Sequence, residues 1–299
     1  MDNIQPILTV VIPVFNREHK VCATLDTISR QSAKAFKVIL VDNASTDNTL
    51  SVLDEWAASS PLDVQVLSEP KRGASAARNR GLRAVDTMWT MFFDSDDTMA
   101  PGHLQRVLDA IGQNPYAEMI GWDINFHYPA RTTPIRKPFI ANQYSSLFDG
   151  TTGTQRYCAR TALFNKAGGW DPEVGVWDDI ELGARLLSRH PMVVKLKGAP
   201  TVDVYLNDDS LSQGEQAGNI EELDKSLNRI AKTVGKKGCL WVELKRVIIA
   251  ARSKEPAGRD LYRRIIKRNT FPRSLLYRLA YFYTRNNGRG IAKILRPVL

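Results

Sequence analysis

The stretch "FFDSDD", residues 92–97, ends an apolar run on three crowded carboxylates, Asp94, Asp96 and Asp97. Carboxylates this close repel one another, so the cluster calls for a positive charge. Asp and Ser also form turns and helix N-caps through their side-chain oxygens, and that reading needs no ligand. Position separates the two readings. Asp94 follows one apolar strand-like run, Asp42 ends another ("FKVILVD"), and a polar loop opening at Asn16 follows a third ("ILTVVIPVF"). A divalent cation among the carboxylates would relieve the repulsion, and a bound diphosphate would share its charge.

The elements that must hold these residues read as alternating strands and helices. Residues 7–15, 36–42, the "DVQVLSE" stretch and 87–93 read as strands, the first two buried on both faces. "REHKVCATLDTISRQ" carries Val21, Leu25 and Ile28 at helical spacing. "STDNTLSVLDEWAASS" predicts a helix capped by Ser45, with Leu50, Leu53 and Trp56 on one face. Residues 73–85 and "HLQRVLDAIGQN" predict two more helices. "AEMIGWDINFHYP" reads as strand, residues 131–155 as largely loop, and everything beyond about Gly218 as helix. This alternation implies an α/β fold with a mostly parallel sheet. Ligands of such sheets bind outside the C-terminal strand ends, where Asp42, Asp94 and the Asn16 loop fall.

Composition narrows the classes. The chain has 299 residues, 43% hydrophobic and 24% charged, enough for one large domain or two small ones. It contains no apolar run of 18 residues or more, so no transmembrane helix is predicted, and its opening reads as a strand, not a signal peptide. Three dispersed cysteines without a CxxC pair favour a reducing compartment. Four scattered histidines argue against zinc and leave a hard ion held by oxygens. Charge is uneven: from Lys225 onward there are 20 Lys and Arg against 3 Asp and Glu. An acidic body and a basic end suggest different partners.

Taken together, "TVVIPVFNRE", "VILVDNASTDNT", "RGASAARNRGL", "FFDSDD" and "AGGWDPEVGVWDDIELGARL" resemble, in order, the motifs of family 2-type inverting glycosyltransferases with the GT-A fold. The resemblance spans about residues 7–213. It implies a GT-A, Rossmann-like sheet flanked by helices, with a C-terminal helical extension. Residues 1–100 would form the nucleotide-sugar-binding half, 101–217 the acceptor-binding half and 218–299 a basic helical region. The reaction implied is transfer from a nucleotide sugar, UDP-linked in the first instance, by a hexosyl- or N-acetylhexosaminyltransferase. The acceptor would be a hydroxyl of a glycan or lipid-linked saccharide in surface polysaccharide synthesis.

The resemblance also implies roles. Pro13, Phe15, Asn16, Glu18 and Asp42 would face the base and ribose, Asp42 accepting the uracil N3–H, with Arg78 and Asn79 near the nucleotide. Asp94 and Asp96 would form the DxD that meets ribose and holds Mg2+ or Mn2+, with Asp97 capping the next helix or joining the metal shell. Asp179 aligns with the catalytic base and Asp178 replaces the usual Glu. Trp170 and Trp177 flank this element and could stack on a sugar or belong to the core. In "VYLNDDSLS", Asn207 stands where the family has a metal-site His, and Asn43 where it often has a second Asp.

In "CLWVELKRVIIAAR" and "SLLYRLAYFYTR" apolar residues repeat on one helical face amid arginines. Such helices pack on the catalytic body or contact an anionic membrane. No nucleic-acid motif accompanies the charge, so no nucleic-acid partner is expected. The implied location is cytoplasmic, peripheral on the inner face of the membrane. A sugar-nucleotide nucleotidyltransferase would want glycines after the first strand, and "IPVFNRE" has none. A dinucleotide-binding oxidoreductase would want GxGxxG. A non-catalytic glycan-binding protein would not need both Asp96 and Asp179.

Overall fold

A computed structural model describes residues 5–206, 220–253 and 255–295, with only the backbone of Lys237. Its main sheet has seven strands in the order β10-β6-β9-β4-β1-β2-β3. They are β1 (Leu8–Val14), β2 (Lys37–Asp42), β3 (Asp63–Ser68), β4 (Trp89–Phe92), β6 (Met119–Gly121), β9 (Tyr157–Arg160) and β10 (Val193–Lys195). The centre is parallel: β1 pairs with β2 from Thr9↔Lys37 to Val14↔Asp42, and with β4 from Leu8↔Trp89 to Val11↔Phe92. β9 runs antiparallel between β4 and β6. Apolar residues on both faces of β1 and β2 are buried, as the unbroken Val/Ile/Leu runs require.

Helices α1 (Val21–Ser29), α2 (Thr49–Ser59) and α3 (Ala74–Ala84) connect the parallel strands, and α4 (His103–Gln113) follows. α3 lies directly on the sheet: a Cβ at Gly81 would come within 2.3 Å of a Val11 methyl, so only glycine permits this approach. A second sheet, β5-β11-β7-β8, comprises β5 (Thr98–Met99), β7 (Ile124–His127), β8 (Ile135–Lys137) and β11 (Val202–Tyr205). Beyond it come α5 (Gln143–Asp149), α6 (Thr161–Ala167), α7 (Asp178–Leu187), α8 (Ile220–Thr233), α9 (Lys236–Arg252), α10 (Pro256–Arg268), α11 (Arg273–Arg285) and α12 (Ile291–Leu295).

Local expectations change in three places. α2 begins at Thr49 rather than behind Ser45, and the Ser45 hydroxyl instead accepts from the Asn16 backbone N–H at 3.0 Å. "AEMIGWDINFHYP" is two strands, β6 and β7, in different sheets, because the chain turns at Trp122 and Asp123. The stretch expected to be largely loop contains β8 and α5.

The C-terminal helices share a core with the α/β body. Leu147 (α5), Ile180 and Ala184 (α7), Leu227 and Ile230 (α8) and Val242 (α9) form one buried cluster, with Phe148 and Trp177 packed against it. In α9, Leu244, Val247, Ile248 and Ala251 are buried, so its apolar face is packing surface.

Candidate active site

The strand ends bring the acidic clusters together around one guanidinium. Arg78, on α3, donates from Nη2 to Asp94 Oδ1 at 2.8 Å and from Nη1 to Asp178 Oδ2 at 2.9 Å. Its guanidinium stands 4.4 Å from the Trp170 ring centroid and is buried. Neighbouring Asp94 and Asp178 raise its pKa further, against the opposing effect of burial. Ser75, one turn earlier, donates to the same Asp178 oxygen at 3.1 Å. The cluster behind β4 and the one opening α7, about 80 residues apart in sequence, are thus one electrostatic unit.

The three carboxylates of "DSDD" are not equivalent. Asp94 Oδ2 accepts from Gln155 Nε2, which also reaches Asp97 Oδ2 at 2.5 Å. Asp97 is 1% exposed, and its Oδ1 accepts from the Tyr205 backbone N–H at 3.0 Å. It caps no helix, since α4 starts behind Gly102; it ties the cluster to β11. Burial first, then Asp94 and Asp96, push the Asp97 pKa well above the usual carboxylate range. Asp96 is partly exposed and lies 3.6 Å from Arg17. Burial, then Asp94, raises its pKa too.

These oxygens suit a hard divalent ion. Among the described residues no three His, Cys, Asp or Glu side chains converge into a complete metal cage. Mg2+ in particular is held by one or two carboxylates, with phosphate and water oxygens filling the remaining positions. Two repelling carboxylates at an open strand end match that donor set. Asn207 lies outside the described residues.

At the end of β2, Asp42 is 4% exposed; Oδ2 accepts from the Ser45 N–H at 3.3 Å, and Oδ1 has no hydrogen-bond partner among the described residues. A buried carboxylate oxygen left unpaired is costly, and a ligand N–H would satisfy it. Phe15 beside it is 41% exposed, with the Arg72 guanidinium 5.1 Å from its ring centroid. Pro13 is half-buried in β1, opposite Val41. Asn16 and Glu18 are engaged in joining loops: Asn16 Oδ1 accepts from the Thr46 N–H and Glu18 Oε2 from the Asn48 N–H, both at 2.8 Å. Asn43 clamps the next loop, donating to the carbonyls of Glu69 and Lys71 and accepting from the Gly73 N–H. Gly73 adopts φ +129°, a conformation that favours glycine, at the start of α3.

Asn79 and Trp170 form a structural pair. The Asn79 amide donates to the Trp170 carbonyl at 2.7 Å and accepts from its N–H at 2.8 Å. Trp170 is 1% exposed, packed edge-on against Phe92 and under Arg78. Of the two sequence readings, core and sugar platform, burial gives core. Its task is to hold the arginine. Trp177 remains partly accessible and precedes α7 in the left-handed region, φ 57°.

At the start of α7 the paired aspartates divide roles. Asp178 is taken by Arg78 and Ser75, and its Oδ1 accepts from the Asp179 N–H at 3.0 Å. Asp179 Oδ1 accepts from the Ile180 N–H at 2.7 Å, while among the described residues its Oδ2 accepts nothing. Burial first, then Asp178, pushes the Asp179 pKa up to about 7. A carboxylate with a free oxygen and a pKa near neutrality is suited to accept a proton.

Sequence reasoning missed Gln155, Ser75 and Lys245. Gln155 lies in a stretch without periodicity, and its only signal is a polar run just before β9. Lys245, on α9, places its ammonium 4.7 Å from the Trp177 ring centroid and 5.5 Å from that of Phe148. Burial, helped by Arg252, lowers its pKa to about 8.

A mostly parallel sheet of this strand order, flanked by helices and carrying acidic clusters at its strand ends, has the GT-A architecture. The chain belongs to glycosyl transferase family 2, whose description matches residues 9–166. It is 30% identical over 192 residues to an uncharacterized glycosyltransferase of Haemophilus influenzae, covering 60% of this chain and 62% of that one. It is 26% identical over 191 residues to a PGL/p-HBAD biosynthesis glycosyltransferase of Mycobacterium tuberculosis, covering 64% and 73%. Among solved structures, Staphylococcus aureus TarS in complex with UDP-GlcNAc superposes with a TM-score of 0.70 at 15% identity, covering 97% of this chain and 92% of that one. The Pyrobaculum calidifontis mannosyltransferase PcManGT, in complex with GDP-Man and Mn2+, gives 0.61 at 16% identity, covering 99% and 88%. At these identities the structural likeness speaks for the fold. No described helix is long and apolar enough to cross a membrane.

Proposed function

We propose that the protein transfers a hexosyl or N-acetylhexosaminyl group, with inversion, from a UDP-sugar to a hydroxyl of a glycan or lipid-linked saccharide, in surface polysaccharide synthesis at the inner face of an anionic membrane. The observation that carries this reading is the Arg78 bridge, which holds the donor-side Asp94 and the base-side Asp178 on one guanidinium. Asp42 accepts the uracil N3–H through its unpaired oxygen, beside Phe15. Asp94 and Asp96 would hold Mg2+ or Mn2+, which neutralises charge on the departing diphosphate. Asp179 takes the proton of the acceptor hydroxyl as its oxygen attacks the anomeric carbon opposite the leaving group. General-base help of this kind is worth roughly 10²–10⁴-fold in rate. The nucleotide complexes of the two structural neighbours support a nucleotide-sugar donor. Calorimetric titration tests the reading: UDP should bind in the presence of Mn2+, and UDP-sugars should slowly release UDP. A folded protein that binds no nucleoside diphosphate would overturn it.

A further inference from the structure

From Leu261 to the C-terminus the sequence contains ten Lys and Arg and no Asp or Glu. The structure sorts the residues of α11 within this run. Tyr277, Ala280, Tyr281 and Thr284 are buried and form its inner face. Leu275, Leu279 and Phe282, at i, i+4 and i+7, lie on the opposite face and are 46%, 59% and 59% exposed. Phe271, just before the helix, is 77% exposed, and Ile294 on α12 is 60% exposed. Around them Arg268, Arg273, Arg278, Arg285, Arg289 and Lys293 are exposed and, among the described residues, form no ion pair.

We infer that this outer face of α11, with Phe271 and Ile294, is the element that docks the enzyme on an anionic lipid surface. The assignment rests on the membrane-surface part of the proposed function and not on its catalytic part. An apolar centre ringed by cations matches an interface where side chains enter the headgroup boundary and arginines meet lipid phosphates. A second copy would bring the same uncompensated charge against itself. Nucleic acid would engage the arginines but leave the leucines and phenylalanines without a partner. α9, the other candidate helix, turns its apolar face into the core and has none to offer.

The test is flotation of the full chain with phosphatidylglycerol-containing and pure phosphatidylcholine vesicles, at low and high salt. Binding should favour the anionic vesicles and weaken with salt without vanishing, because the apolar contact is not screened. Leu279→Gln with Phe282→Gln should lower the bound-to-free ratio by about tenfold or more, while thermal melting and UDP affinity stay at wild-type values. Absent binding, or equal binding to both vesicle types, would overturn the membrane contact itself. Wild-type binding by the double variant would overturn the choice of face. UDP titration of the same samples reports separately on the catalytic reading.

Discussion

Replacing Arg78 with methionine keeps most of the side chain's volume and removes the charge that Asp94 and Asp178 share at 2.8 and 2.9 Å. Losing one partner of a buried ion pair costs about 3–5 kcal/mol. Asp94 and Asp178 retain 28% and 20% side-chain exposure, so water offsets part of this and about 2–3 kcal/mol remains. For a chain of this size that lowers Tm by about 3–5 °C at pH 7–8. A second readout follows from Asp179, whose ionised form Arg78 favours. In the wild type a base with pKa about 7 gives roughly a tenfold rise in kcat/KM between about pH 6 and pH 8. Arg78→Met should move that limb to higher pH, and Arg78→Lys should restore part of both effects. The assays are melting curves and pH–rate profiles on the three proteins. A methionine variant that melts within about 1 °C of wild type at every pH, with an unmoved limb, would refute the bridge as the organiser of the site.

Asp179→Asn should bind UDP-sugar normally yet transfer at least about 100-fold more slowly; if Asp178→Asn is the slower enzyme, the base assignment belongs one residue earlier. Asp96→Asn should keep the fold and lose Mn2+-dependent UDP binding, and calorimetry showing unchanged affinity would remove Asp96 from the metal site. Asp42→Ala should weaken UDP binding and reduce the preference for uridine over other nucleoside diphosphates, read by competition titration; an unaltered preference would dismiss the base contact.

Much of the fold was legible because strands buried on both faces must be apolar throughout, as β1 and β2 are, while the connecting helices carry their own periodicity. The acidic clusters were legible because repelling carboxylates at successive strand ends have few purely local explanations. What escaped depends on long-range contact. Nothing near Ser45 says that its hydroxyl serves the Asn16 backbone instead of a helix end. The outcome for Trp170 rests on Arg78 and Asn79, some 90 residues earlier. In α11 the repeat mixes two faces: Leu275, Leu279 and Phe282 point out while the tyrosines Tyr277 and Tyr281 point in, and only the packing of α9 and α10 decides which.

Lys245 bears on how separable the parts of this enzyme are. Its ammonium rests on Trp177, and the Ser226 hydroxyl donates to the Val176 carbonyl at 2.7 Å. Both groups come from the C-terminal helices and grip the two residues just ahead of Asp178 and Asp179. The family match ends at residue 166, so the segment that carries Asp178 and Asp179 and the helices bracing it lie beyond the matched residues. A chimera joining this donor half to a relative's C-terminal region would inherit the nucleotide chemistry without the brace that aims the aspartate. Such hybrids should bind donor and fail at turnover until Phe148, Trp177, Ser226 and Lys245 are transplanted together.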